Sequence, residues 1–184
     1  MFNRQELISQ LQAYSTPYSE EQHFISSFLE LLKHKDCFER THLPGHITGS
    51  SWIIDATHEH VLLVHHAKLN KWLQPGGHAD GDDNVLRVAM READEETGLK
   101  NLKTVSPSIF DIDIHTIPAR KDMPEHLHYD VRFLLEGSLN ESIIVSEESH
   151  EVKWISIKEL PSLNQERSVL RMNEKVSLLG ANEQ

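Results

Sequence analysis

Residues Gly77 to Leu99, GHADGDDNVLRVAMREADEETGL, constrain this chain more than any other stretch, because apolar and acidic residues recur there on adjacent sides of one predicted helix. At about 100° per residue, Glu92, Glu95 and Glu96 fall within one arc, while Val85, Leu86, Ala89, Met90 and Ala93 fall on the neighbouring arc. The apolar stripe requires burial, which sets the acidic stripe at the edge of a core. Like charges at this spacing cost an isolated helix about 0.2–0.5 kcal/mol per pair. A hard divalent cation offsets that cost, since Mg²⁺ takes carboxylate oxygens and keeps waters and phosphates as its other ligands. A solvated acidic face is the alternative, and Glu95 and Glu96 alone would favour it.

The residues upstream shift the balance. Trp72-Leu73-Gln74-Pro75-Gly76-Gly77-His78 reads as a turn whose two glycines let the backbone approach a ligand. Asp82 or Asp83 is placed to cap the helix, and Gly98 stands where a left-handed residue ends it. The segment is therefore a turn, a helix of about four turns and a stop.

These residues resemble the box of the Nudix hydrolases: glycine, five residues, glutamate, seven residues, then R-E-U-x-E-E-x-G-U with U aliphatic. Gly77, Arg91, Glu92, Ala93, Glu95, Glu96, Gly98 and Leu99 match at the family's spacing, and Asp83 stands where the family has glutamate. So many fixed positions in one loop and helix make the pattern specific. The resemblance covers roughly Gly45 to Leu160, the size of an ordinary domain. It implies an α+β fold (an α/β/α sandwich) with a mixed sheet. It also implies Mg²⁺ or Mn²⁺ on Glu92, Glu95 and Glu96, a further backbone ligand from Gly77, and Arg91 holding a box glutamate in place. The activity implied is metal-dependent cleavage, by water, of the diphosphate link in a nucleoside diphosphate joined to another group.

Two divisions are expected, residues 1–43 as an N-terminal helical extension and 44–184 as the Nudix domain with a C-terminal helix. In the first, Asn3 can cap a helix carrying Leu7, Ile8 and Leu11, and Pro17 separates it from a second. Ser19 with Gln22 forms a capping-box pattern. Phe24, Ile25, Phe28, Leu29 and Leu32 then recur at helical spacing, as a core stripe or, functionally, a dimer contact or lid. In the second, strands are expected over His46–Asp55, His60–His65, Ser108–His115, His126–Glu136 and Glu151–Ile155. Ile157–Leu160 reads as a helical turn stopped by Pro161. Asn164–Leu179 reads as a helix with Val169, Leu170, Met172 and Val176 on its apolar side.

The general base is expected in the loop before the last strand, with Glu148 the first choice, Glu147 the second, and Glu92 of the box another. His78, His126 and His128 are candidate substrate contacts, and His65, His66 and His78 flank the box. Asp111, Asp113 and His115 share one strand face, and His126, His128 and Asp130 share another. If paired as a hairpin, these faces make a substrate pocket, an imidazole metal site or a solvent-facing polar surface, the pocket or polar surface being preferred.

The formal net charge of -11 argues against a duplex nucleic-acid partner and suits a protein that recruits cations to an anionic small-molecule substrate. No apolar run reaches the roughly 18 residues that span a bilayer, the first residues lack a signal peptide's apolar segment, and Cys37 is the single cysteine. A cytoplasmic location is the expectation, and a homodimer is expected on family habit alone. Two other readings use the same box: a non-catalytic nucleotide-binding module, for which the hint is Asp83, and an isomerase of the isopentenyl diphosphate type. The isomerase resembles enzymes with a catalytic cysteine near the sheet, whereas Cys37 falls in the helical extension.

Overall fold

A computed structural model of the protein describes residues 2–121 and 123–181, so the outermost ends of both expected divisions lie outside the described residues. In chain order the elements are α1 (Arg4–Ala13), α2 (Ser19–Leu31), β1 (Gly45–Ile54), β2 (His60–His66), β3 (Lys71–Leu73), β4 (Gly76–His78), α3 (Val85–Thr97), β5 (Lys103–Thr104), β6 (Asp111–Ile117), β7 (His126–Glu136), β8 (Ser149–Ser156), α4 (Leu160–Leu163) and α5 (Arg167–Ala181). They fall into two compact units. The first contains Met1–Ser50, Gly76–Ala89 and Pro107–Phe133, and the second Ser51–Pro75, Met90–Ser106 and Leu134–Gln184. Among the described residues, no helix is long and apolar enough to cross a membrane.

In the first unit, the Asn3 side chain accepts the Glu6 N–H at 3.0 Å and starts α1 as expected. The expected capping box of α2 does not form. Tyr18 takes the cap position without a side-chain capping bond, Ser19 is already helical, and Gln22 donates instead to the Thr16 carbonyl at 2.9 Å. The first turn is tied down by Glu21, a buried carboxylate that accepts from the hydroxyls of Tyr14 and Thr16 and from the Ile112 N–H. Burying that charge is tolerable because each of these bonds is to a good donor. The aromatic stripe of α2 is core: Phe28 and Leu32 are buried with Leu7, Leu11, Ile47, Val131 and Phe133, and Phe28 meets Tyr129 edge-on at 5.3 Å.

The sheet in this unit rests on β1. Thr48, Gly49 and Ser50 pair antiparallel with His78, Gly77 and Gly76 of β4, a strand where a turn was expected. Gly76 is required there, since a Cβ would stand 2.1 Å from the Ser50 hydroxyl. β6 and β7 form an antiparallel hairpin from Asp111↔Arg132 to Ile117↔His126. β7 lies beside β1, and bonds from Leu127 N–H to the Pro44 carbonyl and from Gly137 N–H to the Ile54 carbonyl follow both strands in one direction. That pairing is parallel, so the sheet is mixed and the α+β expectation holds.

In the second unit, β8 pairs with the whole of β2, while β1 and β3 share the other edge of β2. β5 adds Lys103 and Thr104 opposite Glu136 and Leu135. Ile53, Leu62, Val64, Ala93, Leu99, Leu135 and Val152 form the core. Pro161 sits in the first turn of α4 rather than ending a helix, a position where its missing N–H has no partner to lose. Asn164 accepts the Glu166 N–H at 2.7 Å ahead of α5, whose Val169, Met172 and Val176 are buried while Leu170 is half-buried.

Candidate active site

The start of α3 departs from expectation. Asn84 caps it, accepting the Arg87 N–H at 3.0 Å, because the two aspartates are engaged elsewhere. Asp82 accepts from the Asn84 N–H and from the Arg87 guanidinium through two bonds of 2.8 and 2.7 Å. Asp83 accepts the Arg4 N–H at 3.2 Å, where a carboxylate also favours the N-terminal dipole of α1. The end of α3 matches the sequence: Gly98 has φ +74°, its N–H bonds the Asp94 carbonyl at 2.8 Å, and a Cβ there would stand 2.6 Å from the Ile144 side chain.

The last turns of α3, in the second unit, carry the acidic stripe beside buried Ala93 and Thr97. Glu92 is largely buried, its side chain 17% exposed, and accepts from Arg91 at 2.7 Å. Arg91 Nε lies 4.0 Å from Glu95, which is 63% exposed, and Glu96 is half-buried one residue on. Asp94 belongs to a different face, where it pairs with Lys100. The stripe thus brings three carboxylates and one guanidinium together, a net charge of -2 that matches one divalent ion. Oxygen donors of this kind suit Mg²⁺ or Mn²⁺.

Glu147 and Glu148 are exposed in the loop leading to β8, where the Glu148 carbonyl accepts the Ala67 N–H at 2.9 Å. His65 stacks on Trp72 with ring centres 5.0 Å apart. Cys37 is buried in the first unit, where burial pushes its thiol up and so disfavours the nucleophilic thiolate.

Gly77, His78, His126 and His128 belong to the first unit, and there the structure gathers the histidines around one that sequence reasoning passed over. His46, fully buried on β1, has ring centres of His78, His126 and His128 at 5.2, 5.1 and 5.0 Å. Local patterning could not single out His46, because its neighbours arrive through strand register.

Burial, followed by the charges of Arg40 and His46, pushes His78 down to about 4. Burial, with the surrounding histidines adding to it, pushes His128 down to about 2. His78 and His128 are therefore neutral at pH 7.

The aspartates of the β6–β7 hairpin do not face solvent. Asp111, Asp113 and Asp130 are buried around Arg132, which reaches them at 3.1, 3.3 and 2.7 Å. Thr48 and Ser50 complete Asp130 with hydroxyl bonds of 3.0 and 2.7 Å. Burial opposes the guanidinium charge, but the three carboxylates outweigh it and hold Arg132 ionised. A signal for this existed, since Arg132 shares the strand face of Asp130 two residues away.

Comparison with known proteins agrees with this geometry. The NUDIX domain family model matches residues 46–173. A probable DHNTP pyrophosphohydrolase of Lactococcus lactis is 27% identical over 135 residues, covering 72% of this chain and 78% of that protein. The asymmetrical bis(5'-nucleosyl)-tetraphosphatase of mouse is 29% identical over 112 residues, covering 60% and 73%. In structure, a C. elegans Ap4A hydrolase in a binary complex superposes with a TM-score of 0.59 at 16% identity, covering 74% of this chain and 98% of that one, a likeness of fold. Fold, acidic helix and relatives define a hydrolase acting on phosphorus-containing acid anhydrides. The chain belongs to the NUDIX family.

Proposed function

We propose that this protein is a metal-dependent pyrophosphohydrolase that cleaves the diphosphate link of a nucleoside diphosphate joined to another group, with Glu92, Glu95 and Glu96 holding Mg²⁺ or Mn²⁺. The observation that carries this reading is the arrangement of three carboxylates at i, i+3 and i+4 on α3, with Arg91 bonded to the first and within 4.0 Å of the second. The family's general dependence on divalent metal and the names of the two relatives support it. The assignment of the Gly77 carbonyl as a further ligand rests on its position in the box.

The bound cation would offset the charge of the diphosphate oxygens and make water a better nucleophile. Arg91 holds Glu92 against the helix so that its oxygens need not be ordered when metal and substrate arrive. Glu148, exposed in the loop before β8, is assigned as the base that takes a proton as water oxygen bonds to phosphorus. The bridging P–O bond breaks in the same displacement, and two phosphate products leave. Glu147 and Glu92 are the reserve candidates for that proton.

The test is a product screen over nucleoside diphosphate compounds and a dinucleoside tetraphosphate, together with the pterin compound dihydroneopterin triphosphate, with Mg²⁺ and with Mn²⁺, beside a Glu96→Gln variant. Metal-dependent release of a nucleotide or pterin phosphate by the wild type alone supports the hydrolase. Binding without turnover across the panel would overturn it in favour of a nucleotide-binding module.

A further inference from the structure

We propose that His46, His78 and His128 form a three-imidazole site for a zinc-class divalent transition metal, with a fourth position open to water or a phosphate-type oxygen. One ligand atom from each ring lies within 4.8 Å of the others. Tetrahedral zinc–nitrogen bonds of about 2.05 Å bring such atoms to roughly 3.3 Å, so the rings close inward by about 1 Å on loading.

Two of the ligand atoms are otherwise unexplained. Nε2 of His46 and Nε2 of His128 are buried without a hydrogen-bond partner among the described residues. Each orphan carries the desolvation cost of a buried polar atom. A single cation with lone pairs directed at it removes both costs, which a water cannot do without partners for its remaining bonds.

The surroundings select the ligating form of His46. His46 Nδ1 donates to the His42 carbonyl at 3.2 Å, which leaves the Nε2 lone pair facing the cluster. Metal-binding histidines are held in this way by a carbonyl or carboxylate behind them.

His126 is a buttress. It stacks on His46 at 27° between ring planes while its own Nδ1 donates to the Pro124 carbonyl at 2.9 Å. His115 stands beyond His128, tethered to Asp113 at 3.1 Å.

Imidazole nitrogen favours zinc, nickel or copper over Mg²⁺, so this set is chemically separate from the carboxylates of α3. With neutral ligands, the site keeps the full double charge of its ion. An anionic oxygen is then the natural fourth ligand. In this role His78 and His128 would meet substrate phosphate through the ion rather than directly, while the presence of the ion itself is independent of the hydrolase reading.

The full chain carrying Glu92→Gln and Glu96→Gln is stripped with chelator and titrated with Zn²⁺ by calorimetry, and with Co²⁺ followed by visible absorption, in excess Mg²⁺. One equivalent with a tetrahedral Co²⁺ spectrum is expected. His78→Ala and His128→Ala added to that background should each weaken Zn²⁺ by more than about tenfold, and His126→Ala should retain the stoichiometry and the spectrum. No Zn²⁺ binding in the Glu92→Gln/Glu96→Gln chain, or affinity unchanged in His78→Ala, would overturn the site. His78 lies on a three-residue strand and is only half-buried, so His78→Ala keeps the test decisive if His128→Ala fails to fold.

Discussion

Arg91 Nη2 donates to Glu92 Oε1 at 2.7 Å, a bond between consecutive residues whose side chains would point about 100° apart on an undistorted helix. The guanidinium curls across to the carboxylate and fixes Glu92, which is far less exposed than Glu95. Arg91→Lys keeps the charge and loses the planar fork. It should lower kcat/KM by about 10- to 100-fold and raise the Mg²⁺ concentration for half-maximal rate, with circular dichroism unchanged. A variant with wild-type Mg²⁺ dependence would remove Arg91 from the positioning role.

Glu96→Gln tests the carboxylates directly. The amide has the shape of the acid and opens no cavity, so the melting temperature should stay within about 2 °C, while loss of a ligand charge should cut turnover by about 100-fold or more. Wild-type rates at saturating Mg²⁺ would sink the assignment of this residue to the metal.

The reach of the sequence can be judged on particular residues. α3 and its glycine stop were legible because one helix both buries its own stripe and signals its own end. Its cap was misplaced by one or two residues, since Asp82 and Asp83 are individually good caps and lose that role to the Arg87 side chain and to the Arg4 N–H. The strand β4 was hidden because Gly76 and Gly77 signal a turn, and only their pairing with Gly49 and Ser50 extends them. His46 is a still plainer case. Nothing within its own strand marks it, and the neighbours that give it meaning are 32 and 82 residues away in sequence.

Arg132 is surrounded by Asp111, Asp113 and Asp130, and its removal takes the guanidinium charge away from three buried carboxylates. Arg132→Met, which fills similar volume, should destabilise the protein by about 3–5 kcal/mol. Urea unfolding followed by fluorescence provides the measurement. A change below about 1 kcal/mol would mean that the acids find solvent or other donors.

Asp55 sets the acid limit at the β1–β2 turn. Burial works against its charge, yet the Thr57 hydroxyl and the N–H groups of His60, Thr57 and Glu59 outweigh burial and hold the carboxyl below the ordinary aspartate range. A folded value lower than the unfolded one means that the native state binds the proton less readily. The stabilisation is complete above about pH 4, near the unfolded aspartate value, and is lost as pH falls through the folded value. Asp55→Asn should therefore cost about 1.5–3 kcal/mol at pH 7, with the difference from wild type shrinking below about pH 4. His60 Nδ1 stands 3.7 Å from Asp55 Oδ1, so the comparison is made in a His60→Gln background, where the remaining acid slope belongs to the carboxylate. If the stability lost on Asp55→Asn in that background stays constant as the solution is taken from neutral pH to well below the aspartate range, the turn is held by shape rather than by charge.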